Sequence, residues 1–175
     1  EAIYEQFVER LVNRTKAIVI GDPMKPETQM GPVANQAQLD KDIRMVERGV
    51  ADGARLLCGG SRFTHKELPN GFFFEPTIVE ADSDNHLVRN EVFGPVLTLS
   101  RFRDDDEAVT RANDSAFGLA AGIWTQSIRR AHLVARHIKA GTVWINTYRA
   151  VAFNSPFGGY KASGHRTDRK STRLN

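Results

Sequence analysis

"LAAGIWTQSIRRAHLVARHIKAGTVWIN", residues 119–146, is the stretch of this sequence that decides the fold. Residues 119–124 predict a buried strand, residues 127–139 predict a helix with Ser127 as its N-cap, and residues 141–146 predict a further buried strand. This order is typical of a βαβ unit, in which a helix connects two parallel strands by a right-handed crossover.

The residues before this stretch extend the pattern. The β-branched and apolar residues 96–102 predict a strand, and Asp104 or Asp105 can cap the helix that follows it. Together these segments indicate a βαβαβ unit, and hence an α/β fold with a parallel sheet covered by helices. Upstream, the sequence predicts amphipathic helices over residues 2–17 and 34–51. It also predicts a short buried strand over residues 54–60 and an extended segment over residues 72–80.

The composition is that of an ordinary globular protein. Of the 175 residues, 41% are hydrophobic and 26% are charged, which argues against disorder and permits one domain or part of a larger one. No apolar run approaches the length of a membrane span, and the N-terminus has neither a signal-peptide layout nor an initiator Met. A single cysteine, Cys58, favours a reducing compartment, so the cytoplasm is the expected location.

The formal net charge of +3 does not indicate a nucleic-acid partner. Residues 168–175 hold Arg169, Lys170 and Arg173 against Asp168, a net of +2, so the remaining chain carries only +1. Because basic and acidic residues are interleaved there, a nucleic-acid binder is a hypothesis that rests on the isoelectric point alone. Neither a nucleic acid nor a membrane is expected as a partner.

Neither Cys58 nor the histidines form a catalytic or metal-binding pattern. Cys58 lies within a predicted strand, with no helix start nearby to lower its pKa, so structural packing is the better interpretation. His132 and His137 would lie on different faces of one helix, and no histidine spacing suits a metal ion. No metal site is expected.

Two loops stand out by their composition. "NEVFGPV", residues 90–96, contains a Gly-Pro turn that suits the start of a strand, but this leaves Glu91 and Phe93 unexplained. "SPFGGYKASG", residues 155–164, predicts a tightly turned loop that follows a strand. Composition alone favours equally a loop lining a pocket at the carboxyl edge of the sheet and an ordinary connector.

These stretches carry a resemblance to a known family. "NEVFGPVL", "AFGLAAGIWT", "AGTVWIN" and "SPFGGYKASG" stand in the order and spacing seen in the NAD(P)-dependent aldehyde dehydrogenases, and the first half, with "GARLLCGG", is similar to the same family. The resemblance covers residues 1–164. It implies part of the catalytic domain of an enzyme that oxidises an aldehyde to a carboxylic acid with NAD or NADP, through a cysteine thioester.

The resemblance also implies roles for individual residues. Glu91 would accept hydrogen bonds from the hydroxyls of the nicotinamide ribose, since the two oxygens of a carboxylate can take both protons. Phe93 would pack against the nicotinamide end of the cofactor. Leu119 and Phe157 match positions that border the nicotinamide and the inner end of the substrate tunnel.

Residues 146–154, "NTYRAVAFN", match the variable loop that shapes the aldehyde's entrance in this family. Tyr148, Val151 and Phe153 would be its apolar contributions. Arg149 is a weaker candidate for favouring an acidic group on the substrate, because an exposed arginine is usually only solvated.

Several parts of the family's catalytic machinery would precede Glu1, among them the nucleophilic cysteine, with which Cys58 does not align. Residues 1–167 are therefore expected to be the C-terminal portion of an aldehyde dehydrogenase catalytic domain, truncated at both ends and inactive in isolation. The parent enzyme is expected to be a homodimer or homotetramer that acts on an aldehyde. The alternative is a catalytically dead α/β module that works by binding a partner.

The family pattern is lost from about His165. By the genetic code, "DRKSTRLN", residues 168–175, is the translation of GAT-CGG-AAG-AGC-ACA-CGT-CTG-AAC, which resembles a widely used sequencing adaptor. Residues 168–175 are accordingly predicted to be translated adaptor rather than native protein. A disordered basic tail is the alternative.

Overall fold

The computed structural model describes residues 3–151, 154 and 157–164. It divides the chain into two compact units, Glu1–Arg101 and Phe102–Asn175. None of the helices in the described ranges is long and apolar enough to span a membrane.

The first unit combines three helices with three strands. Its elements are α1 (Tyr4–Lys16), α2 (Gln36–Ala51), β1 (Arg55–Cys58), β2 (Thr77–Glu80), α3 (His86–Arg89) and β3 (Val96–Leu99). The helices predicted over residues 2–17 and 34–51 are confirmed as α1 and α2. The short α3 was not predicted, because one turn of helix shows no hydrophobic period; the Asn85 side chain caps it by accepting from the Leu87 amide at 3.0 Å.

The three strands of this unit form one mixed sheet in the order β1-β2-β3. β1 pairs with β2 antiparallel, with an irregularity between Leu56 and Cys58. β2 pairs with β3 in parallel, from Thr77 opposite Val96 to Glu80 opposite Leu99. The strand predicted over residues 96–102 is confirmed, and it begins directly after the Gly-Pro turn.

The core of the first unit lies where α2 packs beside the sheet. One cluster joins Leu39, Val46 and Phe74, and all three side chains are buried. A second cluster contains Val92 together with Met45 of α2, Val79 of β2 and Leu87 of α3, and with Ala54 and Ala81 outside these elements. Val92 stands between the candidate residues Glu91 and Phe93. Because its side chain is part of this core, it anchors the segment that carries them.

The second unit contains the predicted βαβ motif. Its elements are α4 (Asp105–Asn113), β4 (Ala120–Ile123), α5 (Ile128–His137), β5 (Thr142–Ile145) and a 3-10 helix (Lys161–Ser163). β4 and β5 are parallel, from Ala120 opposite Thr142 to Ile123 opposite Ile145. Ser127 caps α5 as predicted, and of the two candidates for α4 it is Asp104 that caps the helix; they accept from the amides of Arg130 and Glu107.

The structure corrects two details of the sequence-based prediction. First, β3 pairs with β2 rather than continuing into one βαβαβ sheet with β4, because the pattern of a strand does not specify its neighbour. Second, the strands predicted as buried are partly open: Ala120 and Gly122 in β4 and Leu56 in β1 are exposed. In the described part of the second unit, β4 and β5 form a sheet of two strands, and α5 packs against both of them.

Candidate functional site

The segment before β3 presents two large side chains to solvent. Glu91 is exposed and Phe93 is 78% exposed, whereas Val92 between them is buried in the core. Phe93 has a φ of +62°, in the left-handed region that a bulky residue rarely adopts. The buried Val92 and this backbone geometry together fix where the two exposed side chains lie.

Polar side chains of helix α2 donate hydrogen bonds to the backbone of the segment that precedes β3. Lys41 Nζ donates to the carbonyl of Glu91 at 3.1 Å. The Gln38 side-chain amide donates to the carbonyl of Val92 at 3.1 Å and to Asp42 Oδ1 at 2.6 Å. None of these three helix residues was singled out from the sequence, since contacts between positions 50 or more residues apart leave no local pattern.

Asp42 lies against Gly94 at the end of the same segment. A Cβ added to Gly94 would be 2.3 Å from Asp42 Oδ2, so a side chain there would have to displace the Asp42 carboxyl. Asp42 is fully buried, and its Oδ2 has no hydrogen-bond partner among the described residues. Burial raises the pKa of the Asp42 carboxyl, although the hydrogen bond from Gln38 and the charge of Lys41 oppose that rise.

The Glu91 carboxylate fits the recognition of a diol. Within the described ranges no hydrogen bond or ion pair engages its two oxygens, and only its backbone carbonyl is used, by Lys41. An unengaged carboxylate at the surface can accept two neighbouring hydroxyl protons as charge-assisted bonds. The exposed aromatic ring of Phe93 two residues later offers an apolar face for a flat ring.

In the second unit, the glycine-rich loop is bound to the residues that follow α4. The Tyr160 amide donates to the carbonyl of Gly118 at 2.8 Å, and the Gly118 amide donates to Ser163 Oγ at 3.0 Å. Lys161 Nζ donates to the carbonyls of Asn113 and Ser115 at 2.7 and 2.9 Å, at the C-terminal end of α4. These bonds draw together the segments that carry Leu119 and Phe157.

Leu119 and Phe157 are both exposed, at 45% and 51%. The backbone at Gly141 lies close to the backbone at Gly158, since a Cβ added to Gly141 would be 1.7 Å from the carbonyl oxygen of Gly158. The tight turn predicted for this loop is present in its described part. The roles of Leu119 and Phe157 beside a cofactor stay predictions.

The predicted entrance loop is built on an aromatic cluster. The ring of Tyr148 lies 5.3 Å from that of Trp144 and 6.5 Å from that of Trp124, and Trp144 Nε1 donates to the carbonyl of Ala150 at 2.8 Å. Val151 is exposed. The predicted Phe153 lies outside the described residues.

The structure adds contacts at two residues of this loop, Asn146, which was missed from the sequence, and Arg149, which was named there as a weaker candidate. The Asn146 side chain bonds both backbone groups of Thr125 at 2.9 Å, which ties together the carboxyl ends of β4 and β5. The Arg149 guanidinium lies 5.6 Å above the ring of Tyr148, so the loop carries a cation beside its aromatic residue. The position of Asn146, directly after an apolar strand, was the sequence signal that could have identified its role.

Cys58 lies at the end of β1 and is 8% exposed. Burial raises the pKa of its thiol, the opposite of what a nucleophile needs. The expected structural role is thereby supported. Among the described residues, no group of three or more His, Cys, Asp or Glu side chains is arranged to hold a metal ion.

Comparison with known proteins gives one consistent family. Residues 1–174 match the model of the aldehyde dehydrogenase family. The betaine aldehyde dehydrogenase of Brucella anthropi is 51% identical over 161 residues, which cover 91% of this chain and 33% of that protein.

Solved structures agree with this. The betaine aldehyde dehydrogenase of Staphylococcus aureus, solved in complex with NAD+, superposes with a TM-score of 0.91 at 38% identity, covering 94% of this chain and 33% of that one. PnpE from Pseudomonas sp. WBC-3 superposes with a TM-score of 0.90 at 44% identity, covering 93% of this chain and 34% of that one. The chain thus spans about a third of the length of the relatives that it matches.

Proposed function

The chain belongs to the aldehyde dehydrogenase family, and from this we propose that it supplies part of the cofactor and substrate sites of an enzyme that oxidises an aldehyde to a carboxylic acid. The observation that carries the proposal is the 51% identity to a betaine aldehyde dehydrogenase over 91% of this chain. The cofactor proposed is NAD or NADP. NAD is favoured, because the Staphylococcus aureus relative was solved with NAD+.

The first unit would hold the nicotinamide riboside end of the cofactor. The unengaged Glu91 carboxylate would accept from the two ribose hydroxyls, and the exposed Phe93 ring would pack against the nicotinamide. When bound, NAD(P)+ supplies the hydride acceptor of the oxidation. The residues of this chain would orient it, without taking part in covalent chemistry.

The second unit would border the aldehyde. Leu119 and Phe157 would border both the nicotinamide of the cofactor and the inner end of the substrate tunnel. Tyr148, Val151 and Phe153 would line the entrance of that tunnel. Their support is the family resemblance, together with the exposure of Leu119, Phe157 and Tyr148, which leaves these side chains accessible to a ligand.

The nucleophile is proposed to lie outside this chain. The family reaction begins with a cysteine thiolate, and the one cysteine here, Cys58, is buried with a raised thiol pKa. We therefore expect the purified 175-residue chain to show no aldehyde-dependent reduction of NAD+. Turnover above a blank, removed by Cys58→Ala, would mean that Cys58 is the nucleophile and that the assignment is wrong.

Three further parts of the proposal concern the parent protein. Residues 1–167 are proposed as a portion of the catalytic domain, and residues 168–175 as translated adaptor. The enzyme is proposed to be a cytoplasmic homodimer or homotetramer. Sequencing the source locus through both ends tests the boundaries, and light scattering of the complete enzyme tests the assembly.

A chimera tests the activity directly. Residues 3–164 of this chain would replace the matching third of the Brucella anthropi enzyme, which leaves the nucleophile to that protein. We expect the purified chimera to reduce NAD+ in the presence of betaine aldehyde or of another aldehyde in a panel of small substrates. A folded chimera of native assembly that neither binds NAD+ nor oxidises any aldehyde would refute the proposed function.

A further inference from the structure

Asp42 is an unusual residue for the place it occupies. It is fully buried on α2, and its Oδ2 has no hydrogen-bond partner among the described residues. A buried carboxyl oxygen without a partner is unfavourable, and an apolar side chain of the same size would avoid that penalty. Such a group calls for an explanation other than stability.

The explanation lies in what Asp42 touches. Its carboxyl lies flat against Gly94, where a Cβ would come within 2.4 Å of its Cγ and both oxygens. Through the Gln38 amide, which bonds both Asp42 Oδ1 and the carbonyl of Val92, the same carboxyl is linked to the other side of the turn. Asp42 therefore contacts the backbone on both sides of Phe93, once directly and once through Gln38.

Phe93 is the residue that needs such support. Its φ of +62° is left-handed, a conformation that is disfavoured by roughly tenfold or more for a residue with a Cβ. A residue persists there only when its surroundings leave it no alternative. The contacts on Val92 and Gly94 supply that restraint, because they fix the residues on either side.

We propose that Asp42 is a positioning residue, which holds the left-handed turn at Phe93 and so presents Glu91 and Phe93 to the cofactor. This rests on the proposed cofactor role of Glu91. Asp42 does not touch the cofactor; it acts through the backbone of residues 92–94. Burial raises the pKa of its carboxyl.

Two variants separate positioning from plain packing. Asp42→Ala removes the contact with Gly94 and the acceptor for Gln38, so the turn at Phe93 can relax. Asp42→Asn keeps the shape of the side chain and an acceptor for Gln38, and should behave as the unsubstituted protein does. Asp40→Ala is the matched control on the same helix, because Asp40 bonds Gln36 and not the turn.

The first readout needs no cofactor. Hydrogen exchange of the 175-residue chain, measured on peptides spanning residues 90–96, should become faster in Asp42→Ala and stay unchanged in Asp42→Asn and Asp40→Ala. Unchanged exchange in Asp42→Ala would overturn the proposal. So would an equal increase over all of α2 and β2, which would show a general loss of stability.

The second readout uses the chimera. Asp42→Ala should raise the KM for NAD+ by roughly tenfold, the factor by which a relaxed turn depopulates the binding geometry, with the aldehyde KM little changed. Asp42→Asn should restore the NAD+ KM, and equal effects on both KM values would contradict positioning. If the unsubstituted chimera fails to bind NAD+, the proposed function fails, whereas the exchange measurement still decides whether Asp42 holds the turn.

Discussion

Replacing Glu80 by Gln should weaken the first unit in a way that depends on pH. Glu80 ends β2, where Tyr4 Oη donates to its Oε1 at 2.7 Å and Arg55 Nε to its Oε2 at 2.8 Å. Arg101 Nε adds a bond to Oε1 at 3.1 Å. The hydrogen bond from Tyr4, followed by those from the two arginines, lowers the pKa of Glu80 from 4.5 to about 2.

The size of the effect follows from that pKa. At about 1.4 kcal/mol per pKa unit, a shift from 4.5 to about 2 corresponds to about 3 kcal/mol of stability. Glu80 is mostly shielded, but Arg55 and Arg101 are 62% and 45% exposed, so solvent screens part of this. We expect Glu80→Gln to lower the free energy of unfolding by about 1–2 kcal/mol near neutral pH.

The sign of the pH dependence is fixed, because folding lowers the pKa of Glu80. Its contribution is fully present above the unfolded value of 4.5 and is lost as the pH falls toward about 2. The difference between Glu80→Gln and the unsubstituted chain should therefore shrink over that interval. Glu67→Gln is the control, since its ion pair with Lys25 is exposed and should contribute nothing measurable.

The assay must report on the first unit alone. Hydrogen exchange of residues 77–80, measured as a function of urea concentration, reports on the first unit. Tryptophan fluorescence does not, because Trp124 and Trp144 both belong to the second unit. If Glu80→Gln lowers the free energy of unfolding equally near neutral pH and near pH 2, the reasoning is refuted. That result would show that the ionised carboxylate of Glu80 does not stabilise the first unit.

Three other substitutions give separate tests. Lys161→Met removes two bonds to the end of α4 and should destabilise the second unit by about 1–3 kcal/mol, read from Trp124 and Trp144 fluorescence in urea; an unchanged midpoint would contradict this. Phe74→Ala, in the buried cluster where Phe74 packs against Leu39 and Val46 of α2, should lower the free energy of unfolding of the first unit by about 3–5 kcal/mol, measured by thermal unfolding; a loss below about 1 kcal/mol would contradict the burial. Cys58→Ala should leave turnover of the chimera within about twofold, and abolished turnover would assign chemistry to the thiol.

The elements that could be predicted are those with a local cause. Helices α1 and α2 follow from their hydrophobic period, and the βαβ motif of residues 119–146 follows from two apolar runs around a capped helix. Ser127 was identified as a cap, and Asp104 as one of two candidates with Asp105, because a cap acts within three residues of itself. These parts are confirmed.

What could not be predicted depends on partners far along the chain. The pairing of β3 with β2 could not be predicted, since the residues of a strand do not specify which other strand it pairs with. Asp42 is another case: it follows Leu39 by three residues and precedes Val46 by four, so it stands on the apolar face of α2. That interruption was visible in the sequence, but only the fold shows that Gly94 lies against it.

The candidate site was predicted unevenly for the same reason. Motif resemblance identified Glu91 and Phe93, and the structure shows both at the surface around a buried Val92. The supports beneath them, Gln38 and Lys41, came only from the structure, because their contacts are with backbone carbonyls that carry no residue signature.

The cofactor affinity of the chimera with and without Glu91→Gln tests the central claim most directly. Titration calorimetry with NAD+ should show binding by the unsubstituted chimera and a Kd about 10–100 times weaker in Glu91→Gln, the loss expected for charge-assisted hydrogen bonds to a diol. An equal Kd for the two proteins, with both folded, would show that Glu91 does not hold the cofactor and would contradict the account of this site.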